Sequence, residues 1–314
     1  MLDYHVHLWP HPEIADETDL AVERLALYCE RATAAGVSEI ALTEHCHRFT
    51  KGREVVEGWW ANEPNEGLRA YMARYFDHHA TVDMDRYVET VLAAKRAGLP
   101  IVVGLEVDYY PGLMGAVADL LDGYPFDVLL GSIHWLGTWM FDIVDSPEQM
   151  NEWERRGTSA SWRAYGEAIE ELAGSATCDV LAHPDVVKVT GRIADPGVVS
   201  EVEERIADAA ATSGMAAELS SAGFRKPVAK AYPSVSLLDR FFARGVPLTT
   251  ASDTHGLSHI ADRSRVLHSL ASNAGYSTLR AFEDRQGRDV PLGEPPPDEH
   301  SSEATDLTDS KSVP

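Results

Sequence analysis

The sequence predicts an α/β barrel of seven parallel strands, each followed by a helix. Three observations point there. Short apolar runs alternate with amphipathic stretches to about residue 280. Polar motifs recur at the ends of those runs: His-Val-His at 5–7, Thr-Glu-His-Cys-His at 43–47, Gly-Leu-Glu-Val-Asp at 104–108, Gly-Ser-Ile-His at 131–134, Leu-Ala-His-Pro-Asp at 181–185 and Ser-Asp-Thr-His at 252–255. No Gly-rich phosphate fingerprint follows the first run, which argues against a doubly wound nucleotide fold. Functional groups at the C-terminal ends of successive strands are the mark of a barrel, here one strand short of eight.

Each element has its own signal. Residues 1–7 read as a strand, with His5 and His7 two apart and so on one side of it. Leu20, Val22, Leu25, Ala26 and Ala32 fall at helical spacing across 18–35, and Gly36 ends that helix. A second strand follows at 38–43. Residues 50–80 break the rhythm and read as an insertion or lid above the catalytic face, with Trp59, Trp60, Tyr71, Tyr75 and Phe76 among polar residues. Then come a helix at 82–97, a strand at 100–107, a helix at 111–121, a strand at 126–133 and a helix over 147–174. The remaining strands fall at 179–182, 215–219 and 247–251, with helices at 196–213, 234–244 and after Leu257. Strands separated by helices pair in parallel, since each crossover returns the chain to the same end. The barrel domain is set at 1–285 and an acidic, disordered tail at 290–314, where apolar residues run out.

Composition narrows the function. With 44% hydrophobic residues a large core is available, and no run approaches the roughly 18 residues of a membrane span. The start lacks the pattern of a signal peptide. Cys29, Cys46 and Cys178 are scattered thiols without a Cys-x-x-Cys spacing, which fits a reducing cytoplasm. A net charge of -23 repels nucleic-acid backbones and argues against long DNA or RNA as a partner. A small phosphorylated substrate would need local cations.

The strand-end residues His5, His7, Glu44, His45, Glu106, His134, His183, Asp253 and His255 supply those cations indirectly. So many imidazoles and carboxylates at one end of a core are costly unless cations bind among them. Imidazole and carboxylate donors without a cysteine cluster suit Zn, Mn, Fe or Ni. More than four donors imply more than one ion, with a carboxylate such as Glu106 bridging.

Taken in order, these motifs resemble the PHP (polymerase and histidinol phosphatase) superfamily. The stretches Gly-Leu-Glu-Val-Asp-Tyr-Tyr-Pro-Gly at 104–112, Tyr-Pro-Phe-Asp-Val-Leu-Leu-Gly-Ser-Ile-His at 124–134, Ser-Ala-Gly-Phe-Arg-Lys-Pro at 221–227 and Tyr-Pro at 232–233 are most similar to its histidinol-phosphatase branch. The resemblance implies a distorted (β/α)7 TIM-like barrel with a metal centre of two to three divalent transition-metal ions (Zn, Mn or Fe) at the C-terminal strand ends. It implies one ion on His5, His7, Glu106 and Asp253, a second on Glu106, His134 and His183, and a third on His45 and His255. The family's further histidine, eight residues after the first, is replaced here by Glu13, with His11 two residues earlier; either could complete the third site. His47 is expected to support the site or face substrate.

The implied activity is hydrolysis of a phosphate monoester, with L-histidinol phosphate the expected substrate, or else another small phosphate ester or nucleotide. The other alternative is a non-catalytic metal-binding domain. Arg225 is the expected phosphate clamp, because its fork can bind two oxygens. Lys188, Arg192 and Arg48 are further cations, and Asp108 or Asp142 could meet a substrate amine. Asp253 and His255 are the expected proton donors to the leaving group. Nothing resembles an activated Ser or Cys nucleophile, so no phosphoenzyme is expected.

Overall fold

The computed structural model describes residues 1–296. Its strands are β1 (Leu2–His7), β2 (Glu39–Leu42), β3 (Ile101–Asp108), β4 (Val128–Ser132), the short pair β5 (Trp135–Leu136) and β6 (Trp139–Met140), β7 (Val180–Leu181), β8 (Ala216–Ser220), β9 (Leu248–Ala251), β10 (Thr254–His255), and the pair β11 (Thr278–Glu283) and β12 (Gln286–Pro291). The main sheet is parallel throughout, in the order β10-β1-β2-β3-β4-β7-β8-β9. β9 and β10 are two halves of one strand, interrupted at Ser252 and Asp253. The first half bonds to β8 and the second to β1, so the sheet curls round and closes as a distorted seven-stranded barrel.

Closure is stitched by side chains. Thr250 Oγ1 donates to the Leu2 carbonyl at 2.7 Å. The buried Asp3 carboxylate accepts from the Ser252 amide and hydroxyl, both at 2.7 Å, and from the Ala261 amide at 2.9 Å. Burial still pushes the Asp3 carboxyl up to about 6. Odd-numbered residues of β1 (Asp3, His5, His7) meet these inner partners, whereas Tyr4 points outward to Phe282, with ring centroids 6.3 Å apart.

The helices follow their sequence signals closely. Asp83 caps Met84–Arg96 by accepting from the amides of Asp85 and Arg86. Pro196 opens Pro196–Ser213, and Gly214 ends it in the left-handed region. The single helix expected over 147–174 is instead two, Pro147–Arg156 and Thr158–Gly174. Gly157, at φ +82°, divides them.

Residues 50–80 fold as the helix Thr50–Val56, the 3₁₀ turn Trp59–Asn62 and the helix Glu66–His79. Trp60, Leu68, Met72 and Phe76 are buried, and Phe76 stacks on Trp60 and on Trp135 of β5 at centroid distances of 4.9 and 6.3 Å. The segment is thus packed onto the strand-end face by its own apolar stripe.

At the opposite end the β11–β12 hairpin lies under the barrel. Tyr4 Oη accepts from the Phe282 amide at 3.0 Å, and the Asp127 carbonyl accepts from the Arg285 amide at 2.9 Å. The expected domain end at 285 falls inside this hairpin. The expected tail at 290–314 begins within β12, and Leu292 is buried. Residues 297–314 lie outside the described residues.

Candidate metal centre

Every strand-end motif converges on the Glu106 carboxylate, which is fully buried. His45 Nδ1 lies 2.6 Å, His5 Nε2 3.2 Å and His7 Nε2 3.6 Å from Oε2. His183 Nε2 and His134 Nε2 lie 3.0 and 3.5 Å from Oε1. Asp253 Oδ1 closes the far side, 3.5 Å from His7 Nε2, 3.7 Å from His255 Nδ1 and 3.9 Å from His5 Nε2. The strand period explains the convergence: His5 with His7, and Glu106 with Asp108, are i, i+2 pairs. His183 and Asp253 sit at φ +26° and +50°, left-handed conformations at the turns that carry them inward.

These groups fit divalent cations. Buried His5 Nε2, His7 Nε2, His45 Nδ1 and Glu106 Oε2 have no aligned hydrogen-bond partner, although they crowd together. Buried polar atoms are ordinarily satisfied, and a cation satisfies donors that cannot satisfy each other. Four overlapping trios have donor atoms within 4.8 Å of one another: His5, His7 and Glu106; His45, Glu106 and His134; His7, His45 and His255; and His11, His45 and His47. The electrostatics agree. Burial alone would raise the Glu106 carboxyl, but His45, His5 and His134 hold it well below its usual range. Burial also opposes charge on His134, yet Glu106 and Asp108 lift it to about 10. The carboxylates that would keep protons on these rings are the ones that would hold metal instead.

Around the donors runs a shell of aiming groups. His5 Nδ1 lies 2.7 Å from Glu218 Oε2, and Glu218 Oε1 accepts from the His183 amide at 3.2 Å. His7 Nδ1 lies 3.3 Å from Glu44 Oε1. His134 Nδ1 lies 2.5 Å from Asp108 Oδ1. Each contact fixes a ring so that its other nitrogen faces the centre. Glu218 was not among the expected residues. Its signal is a lone carboxylate inside the apolar run at 215–219.

Several expected roles change. Of the two third-site candidates, the His11 ring lies 4.9 Å from His45 and 5.0 Å from His255 between centroids. His11 and Glu13 are both exposed, but Glu13 belongs to none of the trios, and its carbonyl accepts from Arg48 Nη1 at 3.1 Å. Arg48 is fully buried: Nε faces Glu44 Oε1 at 3.2 Å and Nη2 donates to the carbonyls of Trp9 and Pro10. It anchors the loop carrying His11 and has no open fork for substrate. Lys188 is buried too, 2.6 Å from Asp185 Oδ2 and over the Tyr232 ring. Arg192 pairs with Glu154 at 2.8 Å. Asp108 faces His134, His47 and Tyr110 rather than the mouth. Arg225 is at the expected end, but Nη1 donates to Asp262 Oδ2 at 2.7 Å and Nη2 to the carbonyls of Ser252 and Asp253 at 2.7 and 2.9 Å. It braces the turn that presents Asp253. His47 has both nitrogens engaged, by Asp108 and Tyr75. Asp142 Oδ1 is buried without a hydrogen-bond partner, and burial raises its carboxyl against the lowering charges of His134, Lys226 and His183.

A family model for the PHP domain matches residues 16–222. The chain belongs to the PHP domain family. The match starts after His5 and His7, which the fold nonetheless brings to the same centre. A relative of this PHP protein is the Deinococcus radiodurans protein named "Probable histidinol-phosphatase". It is 30% identical over 234 residues, 73% of this chain and 78% of that one. This places the chain in the histidinol-phosphatase branch. A crystal structure of histidinol phosphate phosphatase from Lactococcus lactis, complexed with Zn, L-histidinol and phosphate, shares the fold. Its TM-score is 0.65 at 19% identity, over 91% of this chain and 98% of that one. A Listeria monocytogenes structure matches with a TM-score of 0.65 and 19% identity over 85% and 99%.

Proposed function

We propose that this PHP protein is a metal-dependent phosphomonoesterase that hydrolyses L-histidinol phosphate to L-histidinol and phosphate, a step of histidine biosynthesis. The carrying observation is the cluster of unsatisfied imidazole and carboxylate atoms around Glu106. The 30% identical relative and the fold shared with a protein that binds Zn, L-histidinol and phosphate support the substrate.

The reading takes two to three Zn, Mn or Fe ions, held by His5, His7, Glu106, Asp253, His45, His134, His183 and His255, with His11 in place of Glu13. Bound there, such ions activate water at neutral pH and offset the charge of a phosphoryl group. The chain's own residues do the rest. Glu106 holds the histidines in register. Burial raises the Asp253 carboxyl, but His5, His7 and His255 outweigh it and keep it well below its usual range, so it is anionic. Burial and His7 lower His255 to about 3, so that ring is neutral. Asp253 faces His5, His7 and His255 through Oδ1. Its Oδ2 takes the proton of the attacking water and returns it to the leaving alkoxide, which balances the reaction. Arg225 holds the Asp253 turn, and its charge lies beside the phosphate site. Asp142 is the carboxyl group left to meet a substrate ammonium.

Among the described residues no helix is long and apolar enough to cross a membrane. Cys29, Cys46 and Cys178 are all unpaired and buried, which supports a reducing, cytoplasmic setting. The test is elemental analysis of the purified chain joined to phosphate release from L-histidinol phosphate and a panel of other phosphate esters. Two or three transition-metal ions per chain, with L-histidinol phosphate the best substrate, are expected. Metal-loaded protein that releases no phosphate from any ester overturns the reading. Faster release from another ester overturns the substrate alone.

A further inference from the structure

Within the segment 50–80, the helix Glu66–His79 reaches the metal centre by hydrogen bonds. Tyr75 Oη lies 3.0 Å from His47 Nε2. His47 Nδ1 lies 3.0 Å from Asp108 Oδ2, and Asp108 Oδ1 lies 2.5 Å from His134 Nδ1. His134 Nε2 then faces Glu106 Oε1 at 3.5 Å. A continuous line of bonded groups thus runs from the inserted helix to a candidate ligand. Three residues on, His78 Nε2 donates to the Pro12 carbonyl at 2.9 Å, on the loop that carries His11. Residues at i and i+3 share a helix face, so one face of this helix grips two parts of the site.

An ionised carboxylate only accepts, so Asp108 accepts hydrogen bonds from Nδ1 of both His134 and His47 and from the Tyr110 hydroxyl. The Tyr75 hydroxyl bonds the opposite nitrogen of His47, so that ring is held at both ends. Without the hydroxyl the ring is held at one end only, and Asp108 loses a firm partner on the side away from the His134 ring.

We propose that Tyr75 is a positioning residue of the metal centre. By bonding His47 Nε2 it holds the ring through which Asp108 aims His134, so the inserted helix governs how tightly the centre holds a divalent cation. The proposal rests on the metal-hydrolase reading above.

The test is affinity for Zn²⁺ or Mn²⁺, measured on the full chain by competition with a chelator. Tyr75→Phe keeps the packed ring and removes only the hydroxyl. It is expected to weaken retention of one ion by about 10-fold, within the range for groups that orient a ligand. The fold of the metal-free protein, followed by circular dichroism, should be unchanged. Tyr71→Phe on the same helix, whose ring stacks on Tyr75 with centroids 6.3 Å apart, should leave affinity as in the wild type. His47→Gln removes the ring through which the Tyr75 hydroxyl acts, so adding Tyr75→Phe to it should cost nothing further. Equal affinity of wild type and Tyr75→Phe overturns the proposal, as does an additive loss in the double variant. A wild-type chain that holds no divalent ion overturns the parent reading instead.

Discussion

Glu218 touches two ligands at once, through the His5 ring and the His183 amide. Its replacement should therefore act on metal before it acts on fold. Glu218→Gln keeps the volume and one acceptor and loses the charge that holds His5. We expect metal affinity to fall about 10- to 100-fold, read as the chelator concentration that strips half the metal. Arg225 allows a sharper distinction. If it braces the Asp253 turn, Arg225→Lys loses the fork that spans two carbonyls and Asp262. Metal content and kcat should then fall together. If it chiefly clamps phosphate, inhibition by inorganic phosphate should weaken while metal content stays at the wild-type level. The geometry favours the first outcome, because both Nη atoms are already bonded within the protein.

At the scale of the element, the loop after β2 is held from below by the helix Thr50–Val56. A Cβ on Gly52 would lie 2.3 Å from the Cys46 carbonyl oxygen, a backbone atom that cannot turn aside. Gly52→Ala should therefore shift the stretch bearing His45 and His47. A loss of about 1–3 kcal/mol, typical of overpacking, is expected, measured by urea unfolding. The same elements show what the sequence makes legible. The parallel strands are apolar runs with imidazoles and carboxylates at their ends, so their number, and the clustering of those groups at one end, could be read directly. Even β7, two residues long, was visible because His183 follows it. The β11–β12 hairpin was not, because Arg280 pairs with Asp289 and Arg288 with Glu39 on an exposed face, and paired charge looks the same in sequence as solvated charge. Arg48 was misread for a related reason. Nothing in a sequence marks an arginine whose partners are carbonyls of a distant loop. The choice between His11 and Glu13 turned on the path of that loop, which residue spacing does not fix.

For the whole molecule, the centre and the fold share their free energy. The candidate ligands drawn from β1, β3, β9–β10 and the intervening loops come together only in the native chain, so metal bound as proposed would stabilise it by mass action. Removing metal with a chelator should lower the thermal midpoint, and adding Zn²⁺ or Mn²⁺ back should restore it; a midpoint indifferent to metal would contradict the proposed centre. The β11–β12 hairpin works from the other end. Leu279, Ala281, Phe282 and Leu292 are buried beneath the barrel. Ending the chain after Ala274 should lower the same midpoint while leaving the metal ligands in place, checked by metal content of the folded fraction.

The strand broken at Asp253 adds a matter of timing. Asp3 meets Ser252 across 249 residues of chain, and His5 and His7 meet Asp253 and His255 at the same seam. During synthesis the first two histidines leave the ribosome long before their partners exist, by on the order of ten to fifty seconds at usual elongation rates. On the proposed reading, a nascent chain can hold its full complement of metal only once the strand that carries Asp253 and His255 is made, with the β11–β12 hairpin still to follow. Loading the metal then marks the closing of the barrel seam.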